Sequence, residues 1–190
     1  MNRDFIDSKE YKNVDFTKKI LETADYEYCN FVNCDFSDSD LSEISFVECE
    51  FDNCNFSMAK LYGTTLKDLI FTNCKLLGLQ FDKCSPYFFS AEFLKCTLDV
   101  SSFYKLDLKN IKFKACSLIK ADFTEAIMTG LIFHDCNLDK AIFENTHIDK
   151  ADFRTAINYS IDPEKNNINQ AKFSKTGLEG LLIKYNLSID

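Results

Sequence analysis

Cys29-Asn-Phe-Val-Asn-Cys34-Asp-Phe-Ser-Asp-Ser39-Asp-Leu-Ser-Glu43 reads in fives. Phe31, Phe36 and Leu41 share one slot, and Cys29, Cys34 and Ser39 sit two residues before it. The unit is small, polar, large apolar, then two mostly polar residues. A hydrophobic period of five matches neither the 3.6 of a helix nor the 2 of a strand. It fits a chain that turns a corner once per unit and buries one large and one small side chain each time. Four corners close a square coil of about twenty residues, and such coils stack into a solenoid.

The large slot can be followed along most of the chain. It reads Tyr11, Phe16, Leu21, Tyr26, Phe31, Phe36, Leu41, Phe46, Phe51, Phe56, Leu61, Leu66, Phe71, Leu76 and Phe81. The pattern slips by two residues around Cys84-Ser-Pro-Tyr87 and is read as resuming at Phe88, then Phe93, Leu98, Phe103 and onward to Phe153. Residues one coil apart should be chemically alike. Steps of twenty, or twenty-two across the slip, give Phe31, Phe51, Phe71, Phe93, Phe113, Phe133, Phe153 and Phe173. The neighbouring small column gives Cys34, Cys54, Cys74, Cys96, Cys116 and Cys136. Rings in such a ladder stack at roughly the inter-strand spacing of 4.8 Å.

The units Cys34-Asp-Phe-Ser-Asp38, Ala121-Asp-Phe-Thr-Glu125 and Ala151-Asp-Phe-Arg-Thr155 resemble the A(D/N)LXX motif of pentapeptide-repeat proteins. The resemblance runs over residues 11–173. It implies an all-β fold, a right-handed quadrilateral parallel β-helix. Residues 1–10 are read as a lead-in or cap, 11–173 as the β-helix with an interruption near 82–87 and an irregular coil at 158–170, and 174–190 as a short C-terminal α-helix. Thr176 is its expected N-cap, with Glu179 completing a capping box and Leu178, Leu181, Leu182 and Tyr185 at helical spacing. That helix is expected to plug the open end and to form a homodimer contact with Leu187 and Ile189 as an exposed tail.

Composition narrows the class. With 19 Phe, no Trp, 5 Gly and 2 Pro in 190 residues, the chain is neither linker-rich nor disordered. The N-terminus lacks a basic segment followed by an apolar run, and no apolar stretch reaches about 18 residues, so the expectation is a cytoplasmic protein that does not enter a membrane. All nine cysteines fall in the small inward slot, where a free thiol acts as a small hydrophobe. A single inward column cannot converge four zinc ligands, so neither a metal nor another cofactor is expected. His134 and His147 lie in outward slots, and no glycine-rich phosphate loop, HExxH or GxSxG occurs. The chain therefore reads as a non-enzyme.

Charge is uneven. Between Ile20 and Ala59 stand ten acids and no lysine or arginine, a charge of −10, so the remainder must sum to +2 to reach the chain's −8. Two coils rise about 10 Å, a length in which B-DNA carries roughly six charges. The acids Asp25, Asp35, Asp38, Asp40, Glu43, Glu48, Glu50 and Asp52 are read as a partner-binding surface.

Ala156-Ile-Asn-Tyr-Ser-Ile-Asp-Pro-Glu164, an Asn-rich turn, Ala171-Lys-Phe173 and a Leu-rich close resemble the end of topoisomerase-protecting pentapeptide-repeat proteins. The similarity is to the microcin-immunity and albicidin-resistance groups, with the Qnr group further off. It implies a DNA mimic that dimerises through its C-terminal helix, binds DNA gyrase or topoisomerase IV in place of duplex DNA, and protects it from a poison; no nucleic acid is bound. Two departures stand out: no long loop is inserted between coils, and the middle third is rich in lysine (Lys95, Lys105, Lys109, Lys112, Lys114, Lys120). The alternative is a non-catalytic scaffold rod for another protein partner.

Overall fold

The computed structural model describes residues 3–188. Strands β1 (Phe5–Asp7), β3 (Asp25–Glu27), β5 (Ser45–Val47) and β7 (Thr65–Lys67) build one parallel wall in that order. Strands β2 (Glu10–Lys12), β4 (Asn30–Val32), β6 (Glu50–Asp52), β8 (Leu69–Thr72), β9 (Ala91–Leu94), β10 (Ile111–Lys114) and β11 (Phe133–His134) build a second. The other two walls are chains of single parallel bridges, one through Asp15, Asp35, Asn55 and Lys75, the other through Gln80, Ser102, Asp122 and Ile142. The architecture is the expected quadrilateral parallel β-helix.

Register confirms the period. Phe31 pairs with Phe51, Phe51 with Phe71, Phe71 with Phe93, and Phe93 with Phe113. The rings of Phe31 and Phe51 stack at 4.8 Å, those of Phe51 and Phe71 at 4.9 Å, and those of Phe153 and Phe173 at 5.3 Å. Tyr11 extends this ladder below Phe31 at 4.7 Å. A second aromatic column, Phe81, Phe103, Phe123 and Phe143, stacks at 4.8, 5.2 and 5.3 Å. The first coil begins earlier than Tyr11: Ile6, five residues before it in the same register, pairs with Tyr26.

The polar positions make the corners. The residue before each large side chain is often Asp or Asn, and its side-chain oxygen accepts the backbone N–H two residues on: Ser37 to Asp35 at 2.9 Å, Ser57 to Asn55 at 3.1 Å, Thr124 to Asp122 at 2.9 Å. This local clip favours a turn over helix or extended strand. At another corner Asn33, Asn53 and Asn73 take positive φ of 53°, 53° and 55°, a region asparagine tolerates. Their amides link coils, Asn33 donating to Asn13 at 3.2 Å and Asn53 to Asn33 at 2.6 Å.

All nine cysteines are free and buried. The Cys54 thiol donates to the carbonyl oxygen of Phe31 at 3.3 Å, and Cys74 repeats the contact with Phe51. Ser101 and Thr146 occupy the same slot and make the same bond, to Leu76 at 2.8 Å and Phe123 at 2.9 Å. Burial pushes the thiols of Cys29, Cys49 and Cys84 up, that of Cys49 to about 12.

Two expectations are corrected. Phe88 does not re-enter the large slot: it faces solvent at φ 70°, while Phe89 is buried 5.6 Å from the Phe81 ring. Re-entry is fixed one residue later, where Ser90 donates its N–H to Leu66 (3.0 Å) and its hydroxyl receives the Asp68 N–H (2.7 Å). The C-terminal helical segment is present but wound as 3-10 turns, Lys175–Leu181 and Ile183–Tyr185. Its N-cap is Ser174, whose hydroxyl accepts from Gly177 N–H at 3.1 Å; Thr176 and Glu179 form no capping box. The Gly180 carbonyl accepts the Ile161 N–H at 2.9 Å, which ties the segment to the preceding coil.

Candidate protein-interaction surfaces

The eight acids surround the N-terminal coils without sharing a face. Asp25 lies on β3 of the four-stranded wall and Glu48 directly follows β5. Glu50 and Asp52 project from β6 of the seven-stranded wall. Asp35 and Asp38 stand on the wall of the Asp15–Asp35–Asn55 bridges, and Asp40 and Glu43 on that of the Asp40–Lys60 bridge. Asp38, Asp40, Glu43, Glu48, Glu50 and Asp52 are exposed, while Asp25 and Asp35 are half-buried.

Half of them already work within the fold. Asp25 forms an ion pair with Arg3 at 3.2 Å, and the same guanidinium reaches the Glu43 carboxylate at 3.8 Å. Asp35 holds the N–H and, at 2.7 Å, the hydroxyl of Ser37. Asp40 accepts the Ser42 N–H at 3.0 Å, and bonding from Ser42, with the Lys60 charge nearby, holds its carboxyl below the usual carboxylate range. Glu48 receives only the Tyr28 hydroxyl at 3.2 Å, Asp52 only a long Asn73 amide contact at 3.4 Å, and Glu50 no partner among the described residues. Glu48, Glu50 and Asp52, with Asp38, whose carboxylate has no partner among the described residues, are thus the acids whose charge serves no internal purpose. Periodicity alone hid this division, because turn clips and free acids both look polar and outward.

At the other end, the terminal segment folds back on the last coil. Tyr159 is buried beneath it, and a Cβ added at Gly180 would lie 2.3 Å from the Tyr159 carbonyl oxygen. Only glycine permits that approach. Lys184 clamps the segment to Asp162 and Glu164, each at 2.7 Å. Both carboxyls are held below their ordinary range by Lys184, and the Lys184 ammonium is raised in turn. Of the expected dimer residues, Leu178, Tyr185 and Leu187 are exposed, Leu182 is half-buried and Leu181 packs against its own core. Ile183, not singled out by its spacing, is exposed beside them; Ile189 lies outside the described residues.

His134 and His147 are both exposed, and His134 Nδ1 lies 2.9 Å from the Asp135 carboxylate. Among the described residues no group of three or more His, Cys, Asp or Glu is placed to hold a metal, and no helix is long and apolar enough to cross a membrane.

The family model for the pentapeptide repeat region matches residues 44–123, and that for pentapeptide repeats (8 copies) matches 107–145 and 116–154. The two cover more than half of the chain. The chain belongs to the pentapeptide-repeat family. No curated protein matches it. Among solved structures this pentapeptide-repeat protein is similar to a trypsin-treated variant of QnrB1, a plasmid-mediated fluoroquinolone resistance protein. Identity there is 17 % and the TM-score 0.61, over 99 % of this chain and 98 % of that one. It is similar also to HetL, a pentapeptide repeat protein involved in heterocyst differentiation regulation in the cyanobacterium Nostoc. That match has 17 % identity and a TM-score of 0.61, over 91 % of this chain and 88 % of the other. At this identity the likeness concerns the fold. Pentapeptide-repeat solenoids are in general structural or interaction scaffolds.

Proposed function

We propose that this pentapeptide-repeat protein binds DNA gyrase or topoisomerase IV in place of duplex DNA and protects the enzyme from a topoisomerase poison. The observation that carries the reading is the girdle of −10 between Ile20 and Ala59 around the N-terminal coils of the β-helix. Its rise of about 10 Å per two coils gives a charge density no lower than that of a duplex. Attraction between these acids and a basic DNA-binding surface speeds and orients encounter more than it sets final affinity. The fold-level likeness to QnrB1, a fluoroquinolone resistance protein, agrees with this reading. In it the protein works in the cytoplasm, catalyses nothing, and dimerises through Leu178, Leu182, Tyr185 and Leu187, with Ile183 added to that patch.

The experiment is a supercoiling assay with purified gyrase, with and without a quinolone, microcin or albicidin. Restored supercoiling in the presence of one of these poisons supports the proposal; no protection against any of them, with no binding to gyrase or topoisomerase IV, rejects it.

One observation favours the alternative, a scaffold rod for a different protein partner. The acids lie on all four walls, and the lysines of the middle third interrupt any continuous acidic track. Capture of a single non-topoisomerase partner, with the supercoiling assay negative, would select that reading.

A further inference from the structure

The seven-stranded wall carries acid and base in a self-complementary arrangement. Along one column of outward residues, strand pairing places Glu50 beside Ile70, Ile70 beside Glu92, and Glu92 beside Lys112. The neighbouring column runs Asp52, Thr72, Leu94 and Lys114. Acids therefore stand on β6 and lysines on β10, three strands apart, with Ile70, Thr72, Leu94 and the acid Glu92 between them. Ile70 is exposed on this wall. Neither Glu50 nor Lys114 has an ion-pair partner among the described residues, whereas Lys112 pairs with Glu92 on the next strand.

We propose that this wall is an interface for a second copy of the same chain, packed face to face and antiparallel along the rod. The two-fold axis lies between β8 and β9, parallel to the strands. That rotation keeps position along a strand and reverses strand order, so β6 of one copy covers β10 of the other and β8 covers β9. Asp52 meets Lys114 of the second copy and Glu50 meets Lys112, each contact made twice, as an isologous interface requires. At the centre Ile70 faces the stem of Glu92 of the second copy, whose carboxylate stays with its own Lys112, and Leu94 faces Thr72.

The size of the wall sets the strength. Six inter-strand steps of about 4.8 Å by a strand length of about 10 Å give about 300 Å² per copy, below the roughly 800 Å² per partner of a stable complex. The association is weak, concentration-dependent and salt-sensitive. It is distinct from the contact proposed at the terminal segment, which uses other residues and does not depend on these charges.

The test is sedimentation of the full chain over a concentration series at about 0.05 M and about 1 M salt, where the Debye length shrinks from above 10 Å to about 3 Å. Self-association at low salt should weaken at least about tenfold at high salt. Asp52→Lys and Lys114→Glu should each weaken it by a similar factor, with far-UV circular dichroism and melting unchanged because both positions face outward. An equimolar mixture of the two variants should recover association, since each supplies the charge the other lacks. A monomer at every concentration, association indifferent to both swaps, or a mixture no stronger than either variant alone overturns the proposal. Indifference to the swaps with sensitivity to loss of Leu187 would point to the terminal contact alone.

Discussion

Phe93 stacks on Phe71 at 5.2 Å with ring planes 11° apart, although twenty-two residues separate them where other neighbours in the column are twenty apart. The two extra residues leave the wall as a loop and the column continues undisturbed. Pro86, Tyr87 and Phe88 are all exposed there, so the core does not feel the insertion. Deleting Pro86 and Tyr87 together should change stability by no more than about 1 kcal/mol, since loops tolerate length change. Phe93→Ala should cost about 3–5 kcal/mol by cavity formation in a filled stack. Urea unfolding of both variants against the parent checks the contrast.

The thiols are structural hydrophobes in a slot that also accepts hydroxyls. Native protein at pH 8 should react with a thiol reagent at few or none of its nine cysteines, and all nine should react once it is unfolded. Cys74→Ser should cost no more than about 1–2 kcal/mol, because Ser101 and Thr146 already satisfy a hydroxyl in this slot on a backbone carbonyl. Thiol titration with and without denaturant, plus melting of the serine variant, reads both outcomes.

Asp35 separates charge from fold. Asn55 performs the same turn clip one coil on, so Asp35→Asn should keep the fold while removing a charge. Asp35→Ala should cost about 1 kcal/mol through loss of the local hydrogen bonds. Paired melting curves decide, and equal behaviour of the two variants would contradict the clip.

The terminal segment should loosen in acid before the solenoid does. Asp162 and Glu164 have folded-state pKa values below their unfolded ones, so their contribution is complete above the ordinary carboxylate range and is lost as pH falls through and below about 4. Lys184, shifted up, contributes fully below its unfolded value and loses that only at strongly alkaline pH. Hydrogen-exchange protection of residues 174–188 should therefore fall between about pH 5 and pH 3 while that of β6 and β8 persists. Lys184→Met or Gly180→Ala should produce the same local loss at neutral pH, the latter because its Cβ meets the Tyr159 backbone oxygen.

How far residue order alone could reach follows from the same details. The aromatic ladder and the thiol slots repeat in one strict period, and parallel stacking converts that period directly into position; Phe31, Phe51 and Cys54 were legible for that reason. Phe88 and Phe89 were not, because two adjacent phenylalanines both satisfy an apolar slot and only the Ser90 clip chooses between them. The 3-10 winding was not legible either, because apolar spacing does not separate a 3-10 turn from an α-turn in so short a segment. The acids posed a third difficulty. Asp35 and Glu50 are alike in type and outward direction, and only the hydrogen bonds show that one clips a turn while the other is free.

The central claim, that free carboxylates at the N-terminal coils substitute for DNA phosphates, is tested most directly by equilibrium binding to gyrase across a salt series. The comparison is between the parent chain and the triple variant Glu48→Gln, Glu50→Gln, Asp52→Asn, which leaves every turn clip intact. Steeply salt-dependent binding by the parent, with affinity at least about tenfold weaker and a shallower salt slope in the variant, is the expected result. Equal affinity and equal slope for the two proteins would contradict it.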